Sequence, residues 1–115
     1  FVDDLGALVD EARAAGFEPL VETHTRDELE AALETDARVI GVNSRDLKRL
    51  EVDLSDAEEL LPNVPEDRIA VAESGMETPE DVRRMVEAGA DAVLVGTAIT
   101  RSDDVREKTR ELVEA

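Results

Sequence analysis

Cysteine, tryptophan and tyrosine are absent from this 115-residue chain, phenylalanine occurs twice and histidine once. Without thiols there can be no disulfide, no thiolate metal site and no cysteine nucleophile. A single histidine and carboxylates scattered over the chain do not make a metal-ligand set. No Ser-His-Asp order and no Gly-rich nucleotide loop stands out. The apolar runs are far shorter than the roughly 20 residues of a membrane-spanning helix, and no signal-peptide pattern is visible. Positive charge is also scarce. Lysine occurs only at Lys48 and Lys108 among 13 basic residues, against 30 acidic ones, for a net charge of −17. The chain therefore lacks the basic patch that nucleic acid requires, and an anionic membrane surface would repel it. A soluble cytoplasmic protein with no cofactor is the expectation.

The acidic residues are spread over every helical segment rather than gathered in a tail. Such a surface suits a cytoplasm rich in salt, where screening relieves self-repulsion. The thermal melting temperature is expected to rise from low to molar KCl, and a flat response would refute the reading. The length fits one domain. The chain begins at Phe1 without a start methionine and reads as a piece of a longer one.

Four short apolar runs stand out: Phe17–His24 (FEPLVETH), Val39–Arg45 (VIGVNSR), Ile69–Gly75 (IAVAESG) and Ala92–Thr97 (AVLVGT). Their apolar residues predict strands over 17–23, 38–43, 68–72 and 91–95. Helical spacing precedes, separates and follows them. Thr25 with Glu28, Ser55 with Glu58, and Thr78 with Pro79 and Asp81 read as helix starts. Ser102 or Asp103 is expected to start the last helix. Gly16 and Gly89 read as helix ends. Near-continuous apolar strands such as IAVA and AVLV predict a parallel sheet under helices. An open sheet of four strands would leave bare edges at the first and fourth, which invite pairing with another chain.

Each run ends in groups able to hold protons, sugars or phosphate. A carboxylate at Glu22, pointing into a barrel mouth, would have its pKa raised by burial and suit proton transfer. His24 reads better as a loop residue that helps to cap the next helix. Asn43 can bind a hydroxyl or orient a carboxylate, and equally suits a turn. Arg45, two residues on, can bind a carboxylate or pair with a surface acid. Glu73 can bind sugar hydroxyls, while Ser74 and Gly75 offer backbone N–H groups. Gly96 and Thr97 precede a short helical turn, where free N–H groups attract anions. One chemical group per strand end is how a parallel (β/α)8 barrel builds its site, with phosphate commonly at the last two loops.

These segments resemble indole-3-glycerol phosphate synthase. The stretches that carry the resemblance are Leu20-Val21-Glu22-Thr23-His24, Ile40-Gly41-Val42-Asn43-Ser44-Arg45-Asp46-Leu47, Ala72-Glu73-Ser74-Gly75-Met76 and Val93-Leu94-Val95-Gly96-Thr97-Ala98. It covers nearly the whole chain and, with this charge, has a haloarchaeal character. It implies an α/β fold, the C-terminal half of a (β/α)8 barrel, with residues 1–115 forming strands five to eight and the N-terminal half missing. It also implies a lyase that closes an indole ring on a carboxyphenylamino-deoxyribulose phosphate, releasing carbon dioxide and water, in tryptophan biosynthesis. By the same resemblance Glu22 takes part in acid–base chemistry and Asn43 orients substrate and glutamate. Glu73 holds sugar hydroxyls, Arg45 lies near the substrate carboxylate and Leu94 lines the aromatic pocket. Ser74, Gly75, Gly96 and Thr97 bind the phosphate.

The sequence departs from the family in two ways. The family's catalytic lysines and a further glutamate belong to strands one and three, which this chain does not contain, and neither Lys48 nor Lys108 stands where it could replace them. Thr97 stands where many members carry Ser or Glu. The fragment is thus expected to be inactive alone. Its partners would be a phosphorylated small molecule and either the N-terminal half-barrel or a second copy of itself. Two further readings are a self-associating half-barrel that only binds phosphorylated ligands, and a related phosphate-binding barrel such as an isomerase. The Gly-Val-Asn-Ser-Arg-Asp-Leu stretch argues against the isomerase.

Overall fold

The computed structural model describes residues 4–46, 51–52 and 54–115, with backbone alone at 45, 46, 51 and 52. The elements are α1 (Leu5–Ala14), β1 (Leu20–Thr23), α2 (Arg26–Leu33), β2 (Val39–Asn43), β3 (Arg45–Asp46), β4 (Glu51–Val52) and α3 (Leu54–Leu60). After a 3-10 turn over Leu61–Asn63 come β5 (Ile69–Glu73), α4 (Pro79–Ala88), β6 (Ala92–Leu94), α5 (Thr97–Thr100) and α6 (Val105–Val113).

Local chemistry explains most of these boundaries. The Thr25 hydroxyl accepts the Glu28 N–H and opens α2. Thr78 and Asp81 close a full capping box on α4, with Pro79 at its first position. Gly16 and Gly89 adopt φ of +92° and +125° after α1 and α4, a region that L side chains seldom enter. Some boundaries differ from expectation. β1 begins at Leu20 rather than Phe17, because Pro19 has no N–H for the ladder. β5 runs one residue further, to Glu73, and β6 stops at Leu94. Ser55 lies inside α3 rather than capping it. Asp104, not Ser102 or Asp103, caps α6 by accepting the Glu107 N–H. After β2 comes an antiparallel β3–β4 pair, Arg45 opposite Val52.

The main sheet is wholly parallel, in the order β1-β2-β5-β6. Side chains alternate between its faces. Val21, Ile40 and Ala70 lie in register on one face, as do Thr23, Val42 and Ala72. All six are buried, and the apolar ones form a single core with Val9 of α1, Leu29 of α2, Ala57 of α3, Met85 of α4 and Leu112 of α6. Two polar ties hold the layer. The Thr23 hydroxyl donates to the Gly41 carbonyl at 2.8 Å. The Arg68 guanidinium donates to the carbonyls of Ala37 and Leu33.

The opposite face carries Leu20, Glu22, Gly41, Asn43, Ile69, Val71, Glu73, Ala92 and Leu94. Leu20, Ile69 and Leu94 are 43, 48 and 57% exposed there. Among the described residues, the helices cover one face of the sheet. Burial of the other face needs elements beyond these four strands. The sheet edges are β1 and β6, as the strand order requires. The isolated chain is expected to self-associate through them. Sedimentation velocity in molar KCl should show species heavier than a monomer, and a single well-behaved monomer would count against it. Among the described residues no helix is long and apolar enough to cross a membrane.

Candidate functional site

The site lies at the C-terminal ends of the four parallel strands, on the open face. Register sets its geometry. Glu22 stands beside Gly41, which stands beside Val71 and then Ala92. One pleat further on, Asn43 stands beside Glu73 and then Leu94. Asn43 thus reaches back across the sheet, and its Nδ2 donates to Glu22 Oε1 at 3.0 Å.

Glu73 is 5% exposed although it lies on the open face. Its carboxyl folds back over Gly41, where a Cβ atom would lie 2.3 Å from Glu73 Oε2. A glycine at 41 is therefore what gives that carboxyl its place. Oε2 is buried and has no hydrogen-bond partner. Burial foremost, then the charge of Glu22 and a hydrogen bond to it, raises the Glu73 pKa from 4.5 to about 7; His24 opposes the rise. Near neutral pH Glu73 can therefore either hold or release a proton. His24, at the end of β1, places Nδ1 3.3 Å from Glu28 Oε1 and Nε2 3.8 Å from Glu22 Oε2. Its backbone N–H donates to Glu28 Oε1 at 2.7 Å. The Glu28 carboxylate thus reaches His24 rather than closing a box on Thr25.

Two loops face this pair. Ser74 and Gly75 take φ of +67° and +81°, consecutive residues in the left-handed region. Gly96 opens α5, whose first N–H groups have no acceptor within the helix. A cavity of ≈ 730 Å³ joins the loops to the carboxyl pair. Eight of the nine residues expected in the site line it: Glu22, Asn43, Glu73, Ser74, Gly75, Leu94, Gly96 and Thr97. The ninth, Arg45, has its backbone in β3, and its side chain lies outside the described residues. The walls also include Arg101, which the reading of the sequence passed over. Its signal was available: it is the first basic residue after the Gly-Thr loop. No cluster of metal-ligating side chains occurs among the described residues.

Comparison with known proteins gives the lineage. The family model for indole-3-glycerol phosphate synthase matches residues 2–112. The indole-3-glycerol phosphate synthase of Haloarcula marismortui is 52% identical, over 98% of this chain and 43% of its own length. Those of Halobacterium salinarum and Methanocaldococcus jannaschii are 50 and 44% identical, over 45 and 41% of their lengths. The chain thus spans less than half the length of these relatives. Among solved structures, a thiamine phosphate pyrophosphorylase from Pyrococcus furiosus superposes with a TM-score of 0.75 at 22% identity, over 97% of this chain and 55% of that one. An N-acetylmannosamine-6-phosphate 2-epimerase from Clostridium perfringens gives 0.71 at 23%, over 97% of this chain and 49% of that one. These two share the fold, and the four parallel strands with flanking helices correspond to half of a (β/α)8 barrel. With a family model matched from end to end and relatives about half identical, the chain belongs to the indole-3-glycerol phosphate synthase family.

Proposed function

We propose that this chain supplies the phosphate-binding and glutamate-bearing side of an indole-3-glycerol phosphate synthase active site and is inactive without the remainder of the barrel. The observation that carries the reading is one cavity shared by the Glu22–Asn43–Glu73 cluster and two glycine-bearing loops. The substrate would be carboxyphenylamino-deoxyribulose phosphate, converted to indole-3-glycerol phosphate with release of carbon dioxide and water, as part of tryptophan biosynthesis.

Each group has a physical role in that reaction. Backbone N–H groups of Ser74, Gly75, Gly96 and Thr97 would hold the phosphate, with the Arg101 guanidinium adding charge. Glu73 would bind the sugar hydroxyls. Asn43 fixes Glu22 so that one carboxylate oxygen keeps its aim. Leu94 offers an apolar wall to the aromatic ring, and Arg45 would serve the substrate carboxylate. Ring closure with loss of water needs one group that gives a proton and another that takes one. The carboxyl pair supplies the second. The lysine donors that the family implies would come from the strands not present here. No cofactor is invoked. The acidic surface and the haloarchaeal relatives support a protein that works in a salt-rich cytoplasm.

A restoration experiment tests this. The chain alone, and the chain preceded by the N-terminal portion of the Haloarcula relative, are assayed for indole product by fluorescence. Turnover is expected from the second alone. Turnover by the 115-residue chain, or none by the joined chain when it is shown to be folded, would overturn the proposal.

A further inference from the structure

His24 lies between two carboxylates and belongs to neither the phosphate loops nor the Glu22–Asn43 hydrogen bond. Glu28, on α2, holds it twice, through the backbone N–H at 2.7 Å and Nδ1 at 3.3 Å. Glu28 is itself set by the Thr25 hydroxyl that opens the helix. The ring cannot swing freely, and its other nitrogen, Nε2, is buried without a hydrogen-bond partner. The nearest acid to that orphan nitrogen on its own strand is Glu22, with Oε2 at 3.8 Å. Asn43 holds the other Glu22 oxygen. A small closing movement would leave Glu22 held from both sides, by an amide on Oε1 and an imidazole on Oε2.

We propose that His24 is a positioning residue for Glu22, relaying the anchor of Glu28 through the imidazole to the Glu22 carboxylate. This rests on the reading of Glu22 as the proton-transfer group. Of the three protonation forms of the ring, only the imidazolium can donate from both nitrogens at once. The acids that face it are Glu22 on β1 and Glu28 on α2, with Glu73 on β5 close enough to sense its charge. The arrangement places the imidazole to orient Glu22 Oε2 from the side opposite Asn43.

The test has two arms, both on the full-length protein carrying this sequence. In the first, histidine is labelled with nitrogen-15 and the His24 signals are assigned by their loss in His24→Gln. Glu22→Gln is expected to move the Nε2 signal while leaving Nδ1. An Nε2 signal indifferent to Glu22→Gln would overturn the proposal, whatever the catalytic activity. In the second arm, His24→Phe should lower kcat by about 10- to 100-fold with KM within twofold. It should also shift the acidic limb of the pH profile, and His24→Gln, which keeps one donor, should recover part of the loss. An unchanged kcat and pH profile in His24→Phe would overturn it. If the unmodified protein shows no turnover, the proposed function fails, and the first arm still decides the role of His24.

Discussion

Replacement of Glu22 by Gln in the full-length protein is expected to lower kcat by about 10³-fold, within the range by which a positioned acid–base group accelerates a reaction. Gln keeps the shape of the side chain, and its amide oxygen can still accept the Asn43 Nδ2 hydrogen at the position of Glu22 Oε1. The phosphate loops are untouched. KM should therefore change by no more than a few-fold, which separates loss of proton transfer from loss of binding. Steady-state kinetics on the folded variant is the measurement. A kcat close to that of the unmodified protein would show that Glu22 does not move the proton, and would shift attention to Glu73.

Glu73→Gln is expected to change how stability depends on pH. The folded chain raises the Glu73 pKa from 4.5 to about 7, chiefly because the carboxyl is buried over Gly41. The folded state then binds this proton more tightly than the unfolded state does. The contribution is fully present below pH 4.5 and is lost as pH rises through about 7. Burying an ionised carboxylate without a partner for Oε2 is the cost that appears above that pH. Gln has no charge to bury. At pH 8 the variant should be more stable than the parent by about 2–3 kcal/mol, and at pH 4 the two should nearly coincide. Urea denaturation at fixed molar KCl across this range is the check. Parallel stability curves would show that Glu73 is not the group being titrated.

Much of this was legible because it is local. The strands appear where β-branched residues run between helix signals, and three of the boundaries are written in single residues: Thr25, Thr78 and Gly89. The chemistry of the loops is equally local, since Ser74, Gly75, Gly96 and Thr97 follow directly on strand ends. The errors have physical causes too. Ser55 looks like a cap, but α3 begins one residue earlier, at Leu54. Asp104 captured the start of α6 from two nearby candidates because its carboxylate reaches the Glu107 N–H. Arg101 was passed over because one turn of helix separates it from the Gly96-Thr97 loop in sequence, whereas in space it lines the same cavity.

By itself the sequence determined the order of the four main-sheet strands and the helices around them, the family and the inventory of groups at the strand ends. Each of these depends on residues that are neighbours along the chain. Tertiary structure alone decided that Glu73, 51 positions from Glu22, would meet it above a glycine, because that depends on the register of β1, β2 and β5. It also decided that the Glu73 carboxyl would be buried and reluctant to ionise, that His24 would face Glu22 as well as its own helix, and that one face of the sheet would stay uncovered. Burial and field strength arise only when distant segments are packed together, so no pattern along the chain could state them.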